Sequence, residues 1–163
     1  MNASELFELL LADGGMREEL KADAFAFAVR HSLDEEAIEF VEKLDWVGLN
    51  AQVNALIEKR FHECVVYMPL TARANENLAK EFTMFARSFW PEGHKRHRSD
   101  AVEFLKWLLQ KSMPVERREL HWNQFQLHGK RCSVKLYRGL NGKPQVLFMY
   151  RKGNVSRYYW RGS

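Results

Sequence analysis

The six histidines, His31, His62, His94, His97, His121 and His128, and the two cysteines, Cys64 and Cys132, are the side chains best equipped to hold a metal or act as nucleophiles. Their spacing argues against both roles. His62-Glu63 begins like the helical zinc motif HExxH, but Val66 stands where the second histidine would be, so the ligand pair is broken. His94 and His97 lie three residues apart in His94-Lys95-Arg96-His97-Arg98, a run whose positive charge repels a divalent cation and suits a phosphate or carboxylate. Cys64 shares a predicted helix face with Phe61 and Val65, where burial raises a thiol pKa and quenches its reactivity. Far apart and without CxxC spacing, Cys64 and Cys132 read as reduced core residues. There is no GxSxG nucleophile elbow, and Gly14-Gly15, Gly48 and Gly93 lie far from any predicted strand-to-helix junction that could cradle phosphate. The expectation is a chain with no catalytic residue, metal ligand or cofactor of its own.

The positive charge is where a binding function is legible. Residues 1–90 carry 16 acidic and 9 basic side chains, a balance of −7, whereas residues 91–163 carry 5 acidic and 16 basic, a balance of +11. From Leu120 to Ser163 there is no Asp or Glu but nine Lys/Arg. Such sorting predicts a basic face for an acidic peptide, phosphate or nucleic acid, and an acidic face for another partner. Within the basic stretch Tyr137, Phe148, Tyr150, Tyr158, Tyr159 and Trp160 interleave with Lys135, Arg138, Arg151, Lys152, Arg157 and Arg161. Two mechanisms use that composition. An extended peptide can add a strand to an open sheet edge, with Lys135, Arg138, Arg151 and Arg157 attracting its acids and Tyr150 and Tyr158 beside it. Alternatively the aromatic faces stack bases while the cations track phosphates. The plainer reading is that the aromatics pack the sheet and the cations guard its edge.

The elements that would position these residues follow from the apolar period. Leu6 to Leu11 predicts a first helix stopped by Gly14-Gly15, and Met16 to His31 a second. Ser32-Leu33-Asp34-Glu35 matches a capping box opening a third, which runs to about Lys43. Asp45 caps a longer helix bearing Trp46, Leu49, Val53, Leu56, Ile57, Phe61 and Val65, which ends before Met68-Pro69. Another is predicted from Thr71 to Phe89, then a basic loop from Glu92 to Arg98, then a helix capped by Ser99 and ended at Met113-Pro114. That makes about six helices. After Pro114 the period drops to 2: Cys132, Val134 and Leu136 alternate with Ser133, Lys135 and Tyr137, Asn141-Gly142 turns, Gln145 to Arg151 is a second strand, and Lys152-Gly153-Asn154 turns into Val155 to Trp160. Leu120 to Leu127, ended by His128-Gly129, fits a fourth strand, with a helix extended over Arg117 to Phe125 as the alternative. The fold class is α+β, with a helical region 1–113 and an antiparallel sheet region 114–163. No segment approaches the roughly 20 apolar residues that span a bilayer, and the start lacks a secretory signal, so a cytoplasmic protein without a membrane partner is expected.

Two segments carry a resemblance. Phe85 to Leu108, with Asp100-Ala101, Phe104 and Trp107-Leu108, and Glu116 to Trp122, with Glu119 and Trp122, resemble the small partner subunits of multinuclear non-haem iron oxygenases, the family that includes the methanobactin and 3-thiaglutamate partner subunits. The resemblance covers about the C-terminal half to two-thirds of the chain. It implies helices that dock on the oxygenase in a heterodimer, and a sheet that recognises the leader of a ribosomally made precursor or carrier peptide. Iron and oxidation chemistry, such as removal of the β-carbon from a C-terminal cysteine, would belong to the partner subunit. The loop His94, Lys95, Arg96, His97 and Arg98 would then reach the peptide or the partner. A nucleic-acid-binding module remains the alternative.

Overall fold

The computed structural model describes residues 1–90, 96–153 and 155–162. Nine helices and one sheet occur among them: α1 Ala3–Ala12, α2 Gly14–Ala22, α3 Ala24–His31, α4 Glu35–Glu42, α5 Trp46–Val65, α6 Pro69–Arg73, α7 Leu78–Ala86, α8 Arg96–Gln110 and α9 Arg117–His128, then β1 Cys132–Arg138, β2 Pro144–Lys152 and β3 Val155–Gly162. The class is α+β, with helices first and an antiparallel meander last. Two compact units are present, one of Met1–Lys59 with Thr83–Trp90 and one of Arg60–Phe82 with Pro91–Ser163. The packing therefore divides the chain elsewhere than the change of period at Pro114, because α8 and α9 pack on each other and α9 packs on the sheet.

In the first unit, α1 and α4 meet through Leu6, Leu10 and Ala37, all inaccessible to solvent, with Phe7 edge-on to Phe40 at 5.9 Å. Phe27 is likewise sealed. Three aspartates set the corners. Asp13 ends α1 and accepts hydrogen bonds from the Gly15 and Met16 N–H groups (2.7 and 3.3 Å) to open α2, so Gly14-Gly15 begins a helix instead of stopping one. Asp23 accepts from the Ala26 N–H at 2.9 Å and breaks the expected Met16–His31 helix in two. Asp34, not Ser32, caps α4 through the Ala37 N–H, and Ser32 is a left-handed C-cap of α3 with φ 50°. An oxygen-bearing side chain at a helix start satisfies N–H groups that otherwise have no partner, typically worth about 1 kcal/mol.

In the second unit, Phe82 stands edge-on to Phe104 (5.0 Å), and Leu105, Leu108, Ala101 and Met68 are fully buried. The expected helix from Thr71 to Phe89 is interrupted. Asn75 donates through Nδ2 to the Thr71 and Pro114 carbonyls (2.7 and 2.8 Å) and holds the chain out of the helical path between α6 and α7. Asp100, inaccessible to solvent, accepts from Arg60 Nε and Nη2 (3.1 and 2.7 Å), a bidentate pair joining α5 to α8. The stretch Leu120–Leu127 is helical, because Glu116 caps the Arg118 N–H (3.1 Å) and Gly129, at φ 67°, closes the last turn in the left-handed region only glycine enters freely.

The sheet order is β1-β2-β3, with Val134 opposite Phe148 and Phe148 opposite Tyr159. Gly142 takes φ 73° in the first turn, and the Lys143 N–H donates to Asn141 Oδ1 at 3.1 Å. Phe125, Tyr137, Leu147 and Met149, with Trp122 against them, form the core between α9 and the sheet. The opposite face is not covered among the described residues, leaving Leu136 79% and Val134 59% exposed. Cys132 lies on that face and is exposed, which corrects its expected core placement, while Cys64 is buried.

Candidate functional site

A cleft of about 230 Å³ opens in the second unit between the Val66–Leu70 segment, the first turns of α8 and α9, and β3. Its floor is built by α9. Glu119, 8% exposed, accepts from the Leu70 N–H (2.6 Å), the Thr71 N–H (3.0 Å) and the Thr71 hydroxyl (2.7 Å), so a carboxylate distant in sequence caps α6. One turn on, Asn123 Nδ2 donates to the carbonyls of Tyr67 (2.7 Å) and Glu119 (2.9 Å). Burial raises the Glu119 carboxyl above its ordinary pKa, and the bonds from Leu70 and Thr71 oppose that rise without cancelling it.

The walls are aromatic and cationic. Trp122 meets Tyr158 edge-on at 5.0 Å. The Arg98 guanidinium lies over the Tyr67 ring at 5.0 Å, and that of Arg118 over Trp160 at 4.6 Å. Neither guanidinium has an ion-pair partner among the described residues, whereas Arg60 in the same unit is paired with Asp100. Stacking on an aromatic face is a favourable place to hold a guanidinium with its donors still available.

The residues expected to bind peptide are divided by the sheet. Side chains alternate across a strand, so the register puts Arg138, Tyr150 and Arg157 on the open face and Lys135, Arg151 and Tyr158 on the face that α9 covers. On the open face Tyr150 and Tyr159 have parallel rings with centroids 6.2 Å apart, and Phe148 and Tyr150 are 6.0 Å apart. Arg138 donates to the Gly142 carbonyl (3.0 Å) and braces its own hairpin. Arg151 is spent internally: Nε donates to Ser156 Oγ (3.1 Å), Nη2 reaches the Gln126 carbonyl (3.5 Å), and its guanidinium lies over Phe125. Lys135 borders a separate basic hollow of about 180 Å³ with His121, His128 and Lys130. There burial first, and the Lys135 ammonium second, hold the His121 imidazole below its usual pKa.

Arg96, His97 and Arg98 stand in the first turn of α8, not in the expected loop, and His97 Nε2 pairs with Glu63 at 2.5 Å. His94 and Lys95 lie outside the described residues. Among those described, no group of three or more His, Cys, Asp or Glu could hold a metal ion, and no helix is long and apolar enough to cross a membrane. Burial, and the Asp100 carboxylate second, push the Cys64 thiol up. The sequence reading missed Tyr67, Arg118 and Asn123. Only an i, i+4 pairing of Glu119 with Asn123, and of Arg118 with Trp122, could have signalled that α9 turns a polar and aromatic face inward.

Comparison with protein-family models, with curated proteins and with solved structures gives no match.

Proposed function

We propose that this chain is a non-catalytic binding subunit that holds the acidic leader of a precursor or carrier peptide and presents it to a partner multinuclear non-haem iron oxygenase. Thioamino-acid formation of the 3-thiaglutamate type is the chemistry that the resemblance suggests. The observation that carries the reading is β3, an edge strand with one side of its backbone unpaired among the described residues, with Arg157 and Arg161 on its open face and the cleft of Arg98 and Arg118 on the other. A peptide laid along that edge gains main-chain hydrogen bonds from β3 and meets cations on both faces, while its acids find almost no competing carboxylate on the sheet. The iron and its oxidation chemistry reside in the partner. The N-terminal helices, with Phe25 and Val29 exposed, are the docking side.

Titration calorimetry with strand-length peptides carrying Glu at alternate positions tests this. Binding by the wild type that Arg157→Glu with Arg161→Glu weakens at least tenfold supports it; unchanged binding by the double variant sinks it. Co-expression with a candidate oxygenase followed by metal analysis tests the partner, and co-purified iron is the expected result. The competing reading, a single-stranded nucleic-acid platform, draws on Phe148, Tyr150 and Tyr159 lying among Arg157 and Arg161. It requires oligonucleotide affinity that falls steeply with salt and collapses in Tyr159→Ala.

A further inference from the structure

We propose that the cleft between α8, α9 and β3 is an anchor pocket for the side-chain carboxylate of a single acidic residue of the bound peptide, clamped between Arg98 and Arg118. The inference rests on the peptide reading and gives it a register. The size of the cleft decides the class of occupant. At about 230 Å³ it lies below the ~300–1,000 Å³ of pockets that enclose cofactors and drug-sized ligands. One side chain entering from a strand suits that volume.

The charge of the walls decides the chemistry. A half-buried guanidinium without a carboxylate gives up hydration, and the second unit shows the usual remedy in the Arg60–Asp100 pair. Arg98 and Arg118 have no such remedy among the described residues, and each is braced by an aromatic ring. A guanidinium already held in place loses little freedom on meeting an oxyanion, and its planar donors match a carboxylate. The polar groups at the floor do not compete. The carboxylate of Glu119 is engaged with Leu70 and Thr71, and the Asn123 amide with backbone carbonyls.

The position of β3 decides the register. Tyr158 lines the cleft, and Trp160, the next residue on the same face of the edge strand, carries the Arg118 guanidinium that lines it too. A strand paired with β3 turns alternate residues to the same face. An acidic residue opposite the Tyr158–Trp160 stretch is therefore delivered to the two guanidinium groups, and its neighbours on either side face away, toward Arg157 and Arg161.

An array of strand-length Thr/Val peptides, in which one Glu is walked along the sequence and each Glu is matched by a Gln control, tests the assignment on the full-length wild type. One position at which Glu→Gln weakens binding about tenfold to a hundredfold is expected, as for loss of a bidentate charge-assisted contact. In Arg118→Gln and Arg98→Gln the Glu preference at that position should vanish, with weaker binding elsewhere along the peptide unchanged. If the peptides bind and no position prefers Glu over Gln, the anchor pocket is overturned while the strand-addition reading stands. If no peptide binds, both fall. Because the peptide-side substitution is read on the unaltered protein, a folding defect in an arginine variant cannot imitate the expected result.

Discussion

Replacing Glu119 by Ala should cost about 3 kcal/mol of stability, and the figure follows from three contacts. The carboxylate receives the Leu70 N–H at 2.6 Å, the Thr71 N–H at 3.0 Å and the Thr71 hydroxyl at 2.7 Å. Bonds to a charged acceptor are worth about 1.5–3 kcal/mol each, so simple addition gives roughly 4.5–9 kcal/mol. That overshoots, because burying the carboxylate costs enough to raise its pKa despite the three donors. The Thr71 hydroxyl is also not left without a partner, since its Oγ1 still accepts from the Glu116 N–H at 3.0 Å. Two orphaned backbone donors then remain, at about 1–3 kcal/mol each, which brackets the expected loss. In urea, with a slope of about 2 kcal/mol per molar, the midpoint should fall by about 1.5 M. The transition should be followed by tryptophan fluorescence, since Trp122 lines the same cleft. A shift below about 0.25 M would show that Glu119 does not hold the Leu70–Thr71 segment, and the argument would fail. The pH dependence supplies a second arm. With its carboxyl raised in the fold, the native chain keeps a proton over the window from the ordinary carboxylate range up to the raised value, where the unfolded chain has lost it. Stability therefore falls as pH rises through that window and is level above it. Glu119→Gln, which keeps one acceptor and no charge, should be destabilised less than the Ala variant and should lose this slope.

Asp100→Ala removes the bidentate carboxylate partner of the buried Arg60 guanidinium and should cost about 3–5 kcal/mol in thermal or chemical unfolding. The double variant Arg60→Met with Asp100→Leu should recover most of that; if it does not, the pair does more than neutralise itself. In the native chain a maleimide should modify Cys132 quickly and Cys64 only on unfolding, because Cys64 is buried and its thiol is pushed up. Equal labelling rates would contradict its burial. Leu147→Ala, in the core under the sheet, should cost about 2–5 kcal/mol, while Leu136→Ser on the open face should change stability by less than about 0.5 kcal/mol. Equal losses would mean that the open face is covered in the working protein.

The parts of the fold that could be read from sequence are those fixed by neighbours in the chain. Asp45 before the apolar period of Trp46 to Val65 marked α5, and Asn141-Gly142 marked the first hairpin. The parts that could not be read depend on choices between local options of similar energy. Apolar spacing runs through Asp23, so periodicity joined two helices that a side-chain cap separates. Likewise β2 is apolar on both faces, Val146 and Phe148 on one and Leu147 and Met149 on the other. Its inward face is decided only when Phe125 and Trp122 arrive from α9. For that reason the six expected contacts were named correctly as strand residues but fall on opposite faces, and Arg151 is occupied by Ser156 and Gln126. The cleft was illegible for the same reason: Tyr67, Arg98, Arg118 and Tyr158 become neighbours only through tertiary packing.

Because α9 grips the sheet with Phe125 and the Tyr67–Thr71 segment with Glu119 and Asn123, the strands are not a cassette that can be lifted out by cutting at Pro114. Such a fragment would carry a helix with two buried polar side chains suddenly wet on one flank, and its cleft would have lost a wall. Anyone wishing to transplant the sheet and its cleft onto another protein must take the chain from upstream of Tyr67, with α8 included, so that the graft brings along the groups that hold α9 in place.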